Sequence, residues 1–298
     1  MNGRAADWQS SVADFTIRPA RSEDTEVAFA LFADWQRSNY GEVEIGPEMF
    51  ATTLAGADGV FVAETEDGVV GHSDVDGGWI GLGVAPAARR RGIGTALLEE
   101  AERAATTNST WLIGLSSEPA ASPFANANGY EKAWEVWLMG IDLPEEIPEP
   151  EWPEGVSVRT YGGDEAEARE IKELLDLAYA EEFHHQPATF ENWSRFMFED
   201  PMFDAGVWFL AIADGKIVGA ALNWDEGYIK DLVVHPSWRG RGLGKALVHR
   251  TFGEFKRRGL PRVTLKTDSN NPTDAWRLYE RAGMRKERTY EIFQKGAD

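Results

Sequence analysis

The sequence contains no cysteine, and this absence excludes several kinds of chemistry. Disulfide bonds, thiolate metal sites and a covalent acyl-cysteine intermediate all need a thiol. Long apolar runs are missing too, since no stretch approaches the roughly 20 residues of a membrane-spanning helix. Residues 1–14 also lack the basic and apolar regions of a secretory signal. We therefore expect a soluble, cytoplasmic protein without a membrane partner.

Basic residues are scarce relative to acidic ones. The chain has 30 Lys and Arg against 50 Asp and Glu, a net charge of −20, and residues 1–150 hold only 9 of the basic groups. Such a surface repels phosphate backbones, so we expect no nucleic-acid partner. The acidity would suit a cationic amine substrate, and it is also the ordinary property of a soluble or salt-adapted surface.

A glycine-rich segment occurs twice, 150 residues apart, at residues 81–94 and 231–244. Both copies fit R-x-x-G-x-G, follow an apolar run and precede an amphipathic segment. Glycine adopts backbone conformations that let several amide N–H groups converge on one anion at a helix N-terminus. A strand, loop and helix start in this order predict a ligand that contains phosphate.

The two halves repeat one order of predicted elements: strand, helix, hairpin, strand, glycine-rich loop, helix and two further strands. Asp67-Gly68 and Asp214-Gly215 are typical hairpin turns between alternating runs. The helices after the loops are predicted over 95–105 and 245–258, and the strands after them over 110–115 and 262–267. Final strands are predicted over 134–141 and 289–293.

Residues 143–155 separate the halves and contain four prolines and five glutamates. This composition predicts a stiff, solvated linker. A length of 298 residues accommodates two domains of about 150 residues each. We expect an N-terminal domain over 1–142 and a C-terminal domain over 156–298.

The repeated order of elements and the R-x-x-G-x-G loops resemble the GNAT superfamily of N-acetyltransferases in tandem. The second half adds Asn270-Asn271-Pro272 and a run from Leu278-Tyr279 to Gly283-Met284, similar to that family's N…LYxxxGF ending. A Rossmann domain is not favoured, because Leu247 replaces the third glycine of its motif. The resemblance implies an α/β class with two tandem folds, each a mostly antiparallel, centrally splayed sheet flanked by helices.

The resemblance also implies acetyl-CoA as co-substrate, with pantetheine along a strand and pyrophosphate in the loop. Asn270 and Asn271 suit either a bond to the cofactor or an ordinary helix cap. The other residues implied to bind cofactor are Leu232, Val233, Val234, Arg239, Gly240, Arg241, Gly242, Leu243, Gly244 and Lys245, with Val84, Arg89, Gly92 and Gly94 in the first half.

Tyr279 is the candidate general acid, since the family places a tyrosine there near the thioester sulfur. A phenol of pKa about 10 can protonate a thiolate whose conjugate acid has a pKa of about 8.5. The alternative is a core aromatic beside Trp276. The acceptor amine must be neutral to attack, and Asp231 and Glu226 are the candidate bases. Strand alternation leaves open whether Asp231 faces the cleft.

Residues 183–187 and Trp193 lie where the family places substrate-selecting loops. We expect His184, His185, Trp193 and Tyr228 to contact the acceptor. No neighbouring acid or cysteine completes a metal site with the two histidines, so no catalytic metal is expected. The tandem mycothiol synthases are a similar group, and the resemblance lies in His185-x-Pro187 and in the run over 203–211. That group contacts its cysteinyl-glucosaminyl-inositol acceptor partly through acidic side chains, and one of these acids falls near Tyr228 here.

The first half keeps the phosphate loop and lacks the candidate catalytic groups. Gly81 stands at the position of Asp231, and Ala125 at that of Tyr279. We therefore expect an active C-terminal domain that moves acetyl from acetyl-CoA to a primary amine of a small molecule, by direct transfer in a ternary complex. The N-terminal domain is expected to be structural or to bind acyl-CoA without turnover. A non-catalytic acyl-CoA-sensing module is the alternative, and the sequence leaves monomer or homodimer open.

Overall fold

A computed structural model describes residues 14–41, 43, 45–181 and 187–296. They form two compact units: unit 1 lies within residues 1–133 and 291–298, and unit 2 comprises residues 134–290. This grouping differs from the sequence halves at both C-terminal strands. Residues 134–142 belong to unit 2, and the chain end belongs to unit 1. The predicted ranges 1–142 and 156–298 stay a prediction about functional domains.

The elements follow the predicted order, and the two helices after the glycine-rich loops each begin two residues earlier than predicted. Unit 1 contains β1 (Thr16–Pro19), α1 (Thr25–Tyr40), α2 (Pro47–Gly56), β2 (Gly59–Thr65), β3 (Gly68–Asp76), β4 (Trp79–Val84), α3 (Ile93–Ala104), β5 (Thr110–Leu115) and α4 (Ala121–Ala127). The chain continues with β6 (Glu131–Asp142), β7 (Ser157–Thr160), α5 (Glu165–Tyr179), α6 (Phe190–Phe198), β8 (Phe209–Ala213), β9 (Lys216–Trp224), β10 (Tyr228–Val234), α7 (Leu243–Arg257), β11 (Arg262–Asp268), α8 (Ala275–Arg281) and β12 (Arg285–Lys295).

Each unit contains one mixed sheet, which confirms the predicted α/β class. The strand order is β1-β2-β3-β4-β5 in unit 1, where the end of β12 follows β5, and β6-β11-β10-β9-β8-β7 in unit 2. Both predicted hairpins, β2–β3 and β8–β9, are present and antiparallel. The central pairs β4–β5 and β10–β11 are parallel.

The parallel pairs are short, so each sheet is splayed at its centre. In unit 2, β10 and β11 pair only at Tyr228 with Thr264 and at Ile229 with Leu265. In unit 1, β4 and β5 pair only at Trp79 with Trp111 and at the next residue of each strand. Beyond these pairs the facing edges of the central strands separate, as the resemblance implies.

Segment 143–155 is attached to unit 2 through its apolar residues. Leu143 is buried and donates its N–H to Pro261 O at 2.8 Å. Trp152 packs against the cluster that contains Phe209 and Leu247. The prediction of a solvated linker therefore holds for the exposed glutamates of the segment and fails for these two side chains, whose apolar surface is removed from water.

Within the described part of the chain, no helix is both long enough and apolar enough to cross a membrane.

Candidate active site

Helix α7 begins directly after the R-x-x-G-x-G loop of unit 2. Gly240 and Gly242 have φ values of +74° and +87°, a region that favours glycine. The first intrahelical bond of α7 runs from Ala246 N to Gly242 O at 3.0 Å, so the amides of residues 243–245 precede the hydrogen-bond ladder. These amides and the helix dipole suit an anion, and a coenzyme diphosphate fits this chemistry.

At Gly244 a side chain would be limited by packing rather than by the backbone angles. A β-carbon at this position would lie 3.0 Å from Leu278 Cδ2, which is on α8. Gly94 of unit 1 is equally close to α4, with Phe124 Cε2 at 3.1 Å. The last glycine of the motif thus lets the following helix approach its neighbour in both units.

The edge of β10 that faces β11 is unpaired from Asp231 onward. The other edge pairs with β9, and the register shifts between Ile229 and Asp231, which leaves Lys230 as a bulge. Bulges of this kind re-aim side chains and end regular pairing. The backbone of Leu232 to Val234 therefore carries hydrogen-bonding groups beside the splay, where the sequence predicts pantetheine.

Both arginines of the unit 2 loop contact other residues of the same unit. Arg239 donates from Nη1 to Glu181 Oε2 at 2.7 Å and from Nη2 to Ala178 O at 3.2 Å. The Arg241 guanidinium lies 4.7 Å from the centre of the Trp238 ring. Arg239 thus connects the loop to the end of α5, and contact of either arginine with phosphate stays a prediction. Lys245 is exposed on the first turn of α7.

Asp231 faces α5. Its Oδ1 accepts a hydrogen bond from the Tyr179 hydroxyl at 2.8 Å, and Lys230 Nζ lies 3.3 Å from Oδ2. The Asp231 side chain is 12% exposed. Tyr179 could not be predicted as a partner, because it is 52 residues away from Asp231. Only its place at the end of the first helix of the repeat could have indicated it.

Tyr279 lies in α8 and is 6% exposed. It belongs to the core cluster that includes Val233 of β10 and Leu265 of β11, the two splayed strands. Its carbonyl accepts from Met284 N at 3.0 Å across the turn at Gly283. This placement is consistent with a core aromatic and with a group beside the splay, so the acid role stays a prediction.

Glu226 and Tyr228 lie at the start of β10, at the end of the strand opposite to the phosphate loop. Glu226 lies in the turn before the first residue of β10, where partial shielding of its carboxyl from water and the charges of the nearby Asp225 and Asp200 raise its pKa. Burial, reinforced by the charge of Asp231, raises the pKa of Tyr228 to about 12, so its hydroxyl is protonated at neutral pH. Of the two candidate bases, only Asp231 lies beside the splay.

The remaining predicted residues are dispersed. Trp193 is 9% exposed and packs within an aromatic cluster, its ring tilted against that of Trp208 with the centres 6.4 Å apart. Asn271 Oδ1 accepts from Thr273 N at 2.9 Å, and Asn270 N donates to Asp268 Oδ1 at 2.7 Å, so this segment forms the turn before α8. Contacts of these residues with ligands stay predictions.

His184 and His185 lie outside the described residues. Among those that are described, no group of three or more His, Asp or Glu side chains could hold a metal ion.

Unit 1 repeats the loop geometry. Gly92 has φ +85° and its carbonyl accepts from Ala96 N at 3.1 Å, as at α7. Arg89 binds Val84 O at 3.1 Å and pairs with Glu118 at 3.3 Å. Strand β4 differs from β10, because its pairing with β3 runs without a register shift from Trp79 to Val84. Both units therefore have the glycine-rich loop, whereas only unit 2 has a bulge in its central strand.

Structural equivalence supports the aligned positions. Tyr130 N donates to Ala125 O at 3.0 Å across Gly129, the same turn that Met284 and Tyr279 form across Gly283. Ala125 therefore stands where unit 2 has Tyr279.

Comparison with known proteins matches both halves to one family. Residues 168–284 match the acetyltransferase (GNAT) family, and residues 56–132 match an acetyltransferase (GNAT) domain. A mycothiol acetyltransferase from Saccharomonospora viridis is 33% identical over 250 residues, which cover 76% of this chain and 78% of that protein. A mycothiol acetyltransferase from Nocardioides sp. is 29% identical over 223 residues, covering 67% and 75% of the two chains.

Solved structures show the same fold. A GCN5-related N-acetyltransferase from Sphaerobacter thermophilus superposes with a TM-score of 0.79 at 28% identity and covers 95% of this chain and 96% of its own. A tandem GNAT protein from the clavulanic acid biosynthesis pathway superposes with a TM-score of 0.69 at 19% identity, covering 95% and 99%.

The splayed sheets, the helix starts after the two glycine-rich loops and these relatives define an acyltransferase with two tandem acetyltransferase folds. The chain belongs to the GNAT family of acetyltransferases, as its sequence predicts. Members of this family generally use acetyl-CoA.

Proposed function

We propose that unit 2 transfers an acetyl group from acetyl-CoA to a primary amine of a small molecule. One observation carries this proposal: the unpaired edge of β10 leads directly into the amides at the start of α7, with Asp231 on the same strand. That edge and those amides would bind pantetheine and diphosphate, respectively. They hold the donor at the splay, beside the largely shielded carboxylate of Asp231.

In the proposed reaction Asp231 accepts a proton from the substrate ammonium, directly or through water. The neutral nitrogen attacks the thioester carbonyl carbon, a C–N bond forms, and the C–S bond breaks. The nitrogen then releases its second proton to solvent, and Asp231 returns the first one to solvent as well. The Tyr279 hydroxyl gives its proton to the departing thiolate and recovers one from solvent. The hydrogen bond from Tyr179 and the ion pair with Lys230 hold the Asp231 carboxylate in place. Orientation supplies much of the rate, since two reactants meet in one site.

We propose a structural or acyl-CoA-binding role without turnover for unit 1. The same loop geometry supports cofactor binding, and Ala125 in place of Tyr279 removes the proposed acid. Joint substitution of Arg89 and Gly92 should leave turnover unchanged. Loss of activity in a variant that still folds would assign the chemistry to unit 1.

The acceptor of the mycothiol relatives is the second candidate substrate. Identity of 33% over most of both chains favours cysteinyl-glucosaminyl-inositol as the molecule acetylated. Its α-amine has the chemistry that the proposed base requires.

The test is release of CoA from acetyl-CoA with a panel of small amines that includes this acceptor. We expect turnover with at least one amine, and initial-rate lines that intersect because both substrates bind before chemistry. Parallel lines would contradict direct transfer. A protein that binds acetyl-CoA and releases no CoA with any amine would support a sensing module instead.

A further inference from the structure

Two glycines of β4 lie beneath two polar side chains of β3 in unit 1. A β-carbon at Gly81 would lie 2.7 Å from Asp74 Oδ1, and one at Gly83 would lie 3.2 Å from His72 Cε1. The register pairs Asp74 with Gly81 and His72 with Gly83. The carboxylate and the imidazole thus occupy space that side chains of β4 would otherwise fill.

In unit 2 the equivalent strands β9 and β10 have the same register and different side chains at these positions. There Leu222 of β9 pairs with Asp231 of β10, and Gly219 pairs with Val234 as Gly71 pairs with Val84 in unit 1. The carboxylate is therefore on the central strand in unit 2 and on its neighbour in unit 1. Gly81 has no side chain where unit 2 has the Asp231 carboxylate, and Asp74 places a carboxylate over this glycine.

This face of unit 1 carries several polar groups without protein partners. Among the described residues, His72 Nδ1 and Trp111 Nε1 are buried and form no hydrogen bond, and the Asp74 carboxylate forms neither a hydrogen bond nor an ion pair. His72 is 4% exposed. Buried polar groups are normally hydrogen-bonded, and leaving one unpaired destabilises the folded state.

The three groups lie on one face of the sheet. His72 and Asp74 are two residues apart on one strand, and Trp111 is paired with Trp79, which is paired with Asp76. Burial raises the pKa of Asp74 to about 6, with a contribution from Asp76, and burial lowers the pKa of His72 to about 4. At neutral pH the face therefore presents a carboxylate, a neutral imidazole and an indole N–H.

These groups define the chemistry of a ligand. A carboxylate in a buried setting binds an ammonium group, and an indole N–H donates to an oxygen. The rings of Trp79 and Trp111 stack with centres 5.6 Å apart, and Trp79 is 43% exposed, so an aromatic surface for a cation lies at the same face.

We propose that unit 1 binds a small amino alcohol, whose ammonium group contacts Asp74 and whose hydroxyl oxygen contacts Trp111, with His72 lining the site. The proposal goes beyond acetyl transfer by unit 2 and does not depend on it. It gives unit 1 a ligand of its own beside the shared phosphate loop.

The test follows the Trp111 indole resonance by NMR in the full-length protein during titration with serinol. Glycerol, which has the same carbon skeleton and a hydroxyl in place of the ammonium group, is the matched control ligand. We expect a saturable shift with serinol and none with glycerol. Asp74→Asn should weaken serinol binding by about tenfold or more, because it removes the charge and keeps the shape. Asp231→Asn in unit 2 should leave binding unchanged.

A second measurement separates binding from a folding defect in the variant. In the wild-type protein, bound serinol should lower the pKa of the Asp74 carboxyl, followed by ¹³C NMR, since a nearby cation favours its ionised form. An indole resonance that does not move with serinol, or that moves equally with glycerol, would overturn the proposal. So would an Asp74 pKa that serinol leaves unchanged.

Discussion

Two titratable residues of β3 give the stability of unit 1 opposite pH dependences. Burial lowers the pKa of His72 from 6.5 to about 4, so between these values the unfolded chain binds the extra proton and stability rises with pH. Burial raises the pKa of Asp74 from 3.8 to about 6, so between those values the folded protein binds the extra proton and stability falls as pH rises. The two effects oppose each other over most of this window.

Single substitutions should separate the two effects. In Asp74→Asn, the free energy of unfolding should rise with pH between about 4 and 6.5, by about 3 kcal/mol, because of the two β3 groups only His72 then titrates. In His72→Gln it should fall between about 4 and 6, because Asp74 loses its proton. Urea unfolding at several pH values checks both slopes. Parallel curves for the two variants would refute the assignments.

Residue positions along one strand could be predicted, whereas contacts across strands could not. The alignment correctly identifies Gly81 and Ala125 as the counterparts of Asp231 and Tyr279. It cannot show that Asp74 lies over Gly81, because that contact depends on the register of β3 against β4. The bond from Tyr179 to Asp231 joins a helix to a strand far along the chain and leaves no local signal.

At the scale of elements, the R-x-x-G-x-G loop has the same backbone in both units and a different proposed use. Gly242 and Gly92 have φ values of +87° and +85° and cap α7 and α3. The hairpins and helix starts could be predicted because Asp-Gly turns and motif glycines impose local geometry. The bulge at Lys230 could not, because no turn residue marks it.

Gly242→Ala and Gly92→Ala form a matched pair that tests this difference. Both place a β-carbon in a left-handed conformation, which costs roughly 1–2 kcal/mol per residue and distorts the helix start. We expect Gly242→Ala to raise the KM for acetyl-CoA about tenfold, and Gly92→Ala to leave KM and kcat unchanged. Steady-state kinetics on both variants measures this. Equal losses of activity would mean that both loops serve the reaction.

At the scale of the whole molecule, the units do not follow the sequence repeat. Phe293, near the end of the chain, is 1% exposed in the core cluster of unit 1 with Leu112 and Tyr130. Met139, before the middle of the chain, is 1% exposed in the core of unit 2, where it pairs with Leu265. The repeat predicts the order of the elements, and only the strand pairings show in which unit the terminal strand of each half lies.

Phe293→Ala should therefore destabilise unit 1, although residue 293 belongs to the second half of the sequence. Removing a buried phenylalanine side chain costs about 3–5 kcal/mol. Amide hydrogen exchange should lose protection in β5 and retain it in β9. Met139→Ala is the matched control and should have the opposite pattern. Loss of protection in β9 alone after Phe293→Ala would contradict the unit assignment.

In the proposed mechanism unit 2 carries the chemistry, and Tyr279 protonates the departing thiolate. The most direct measurement compares kcat and acetyl-CoA affinity in wild type and Tyr279→Phe, which removes one hydroxyl and keeps the ring that packs in the core. We predict a kcat lower by about tenfold or more, as for loss of a general acid, with unchanged affinity for acetyl-CoA. An unchanged kcat would contradict it.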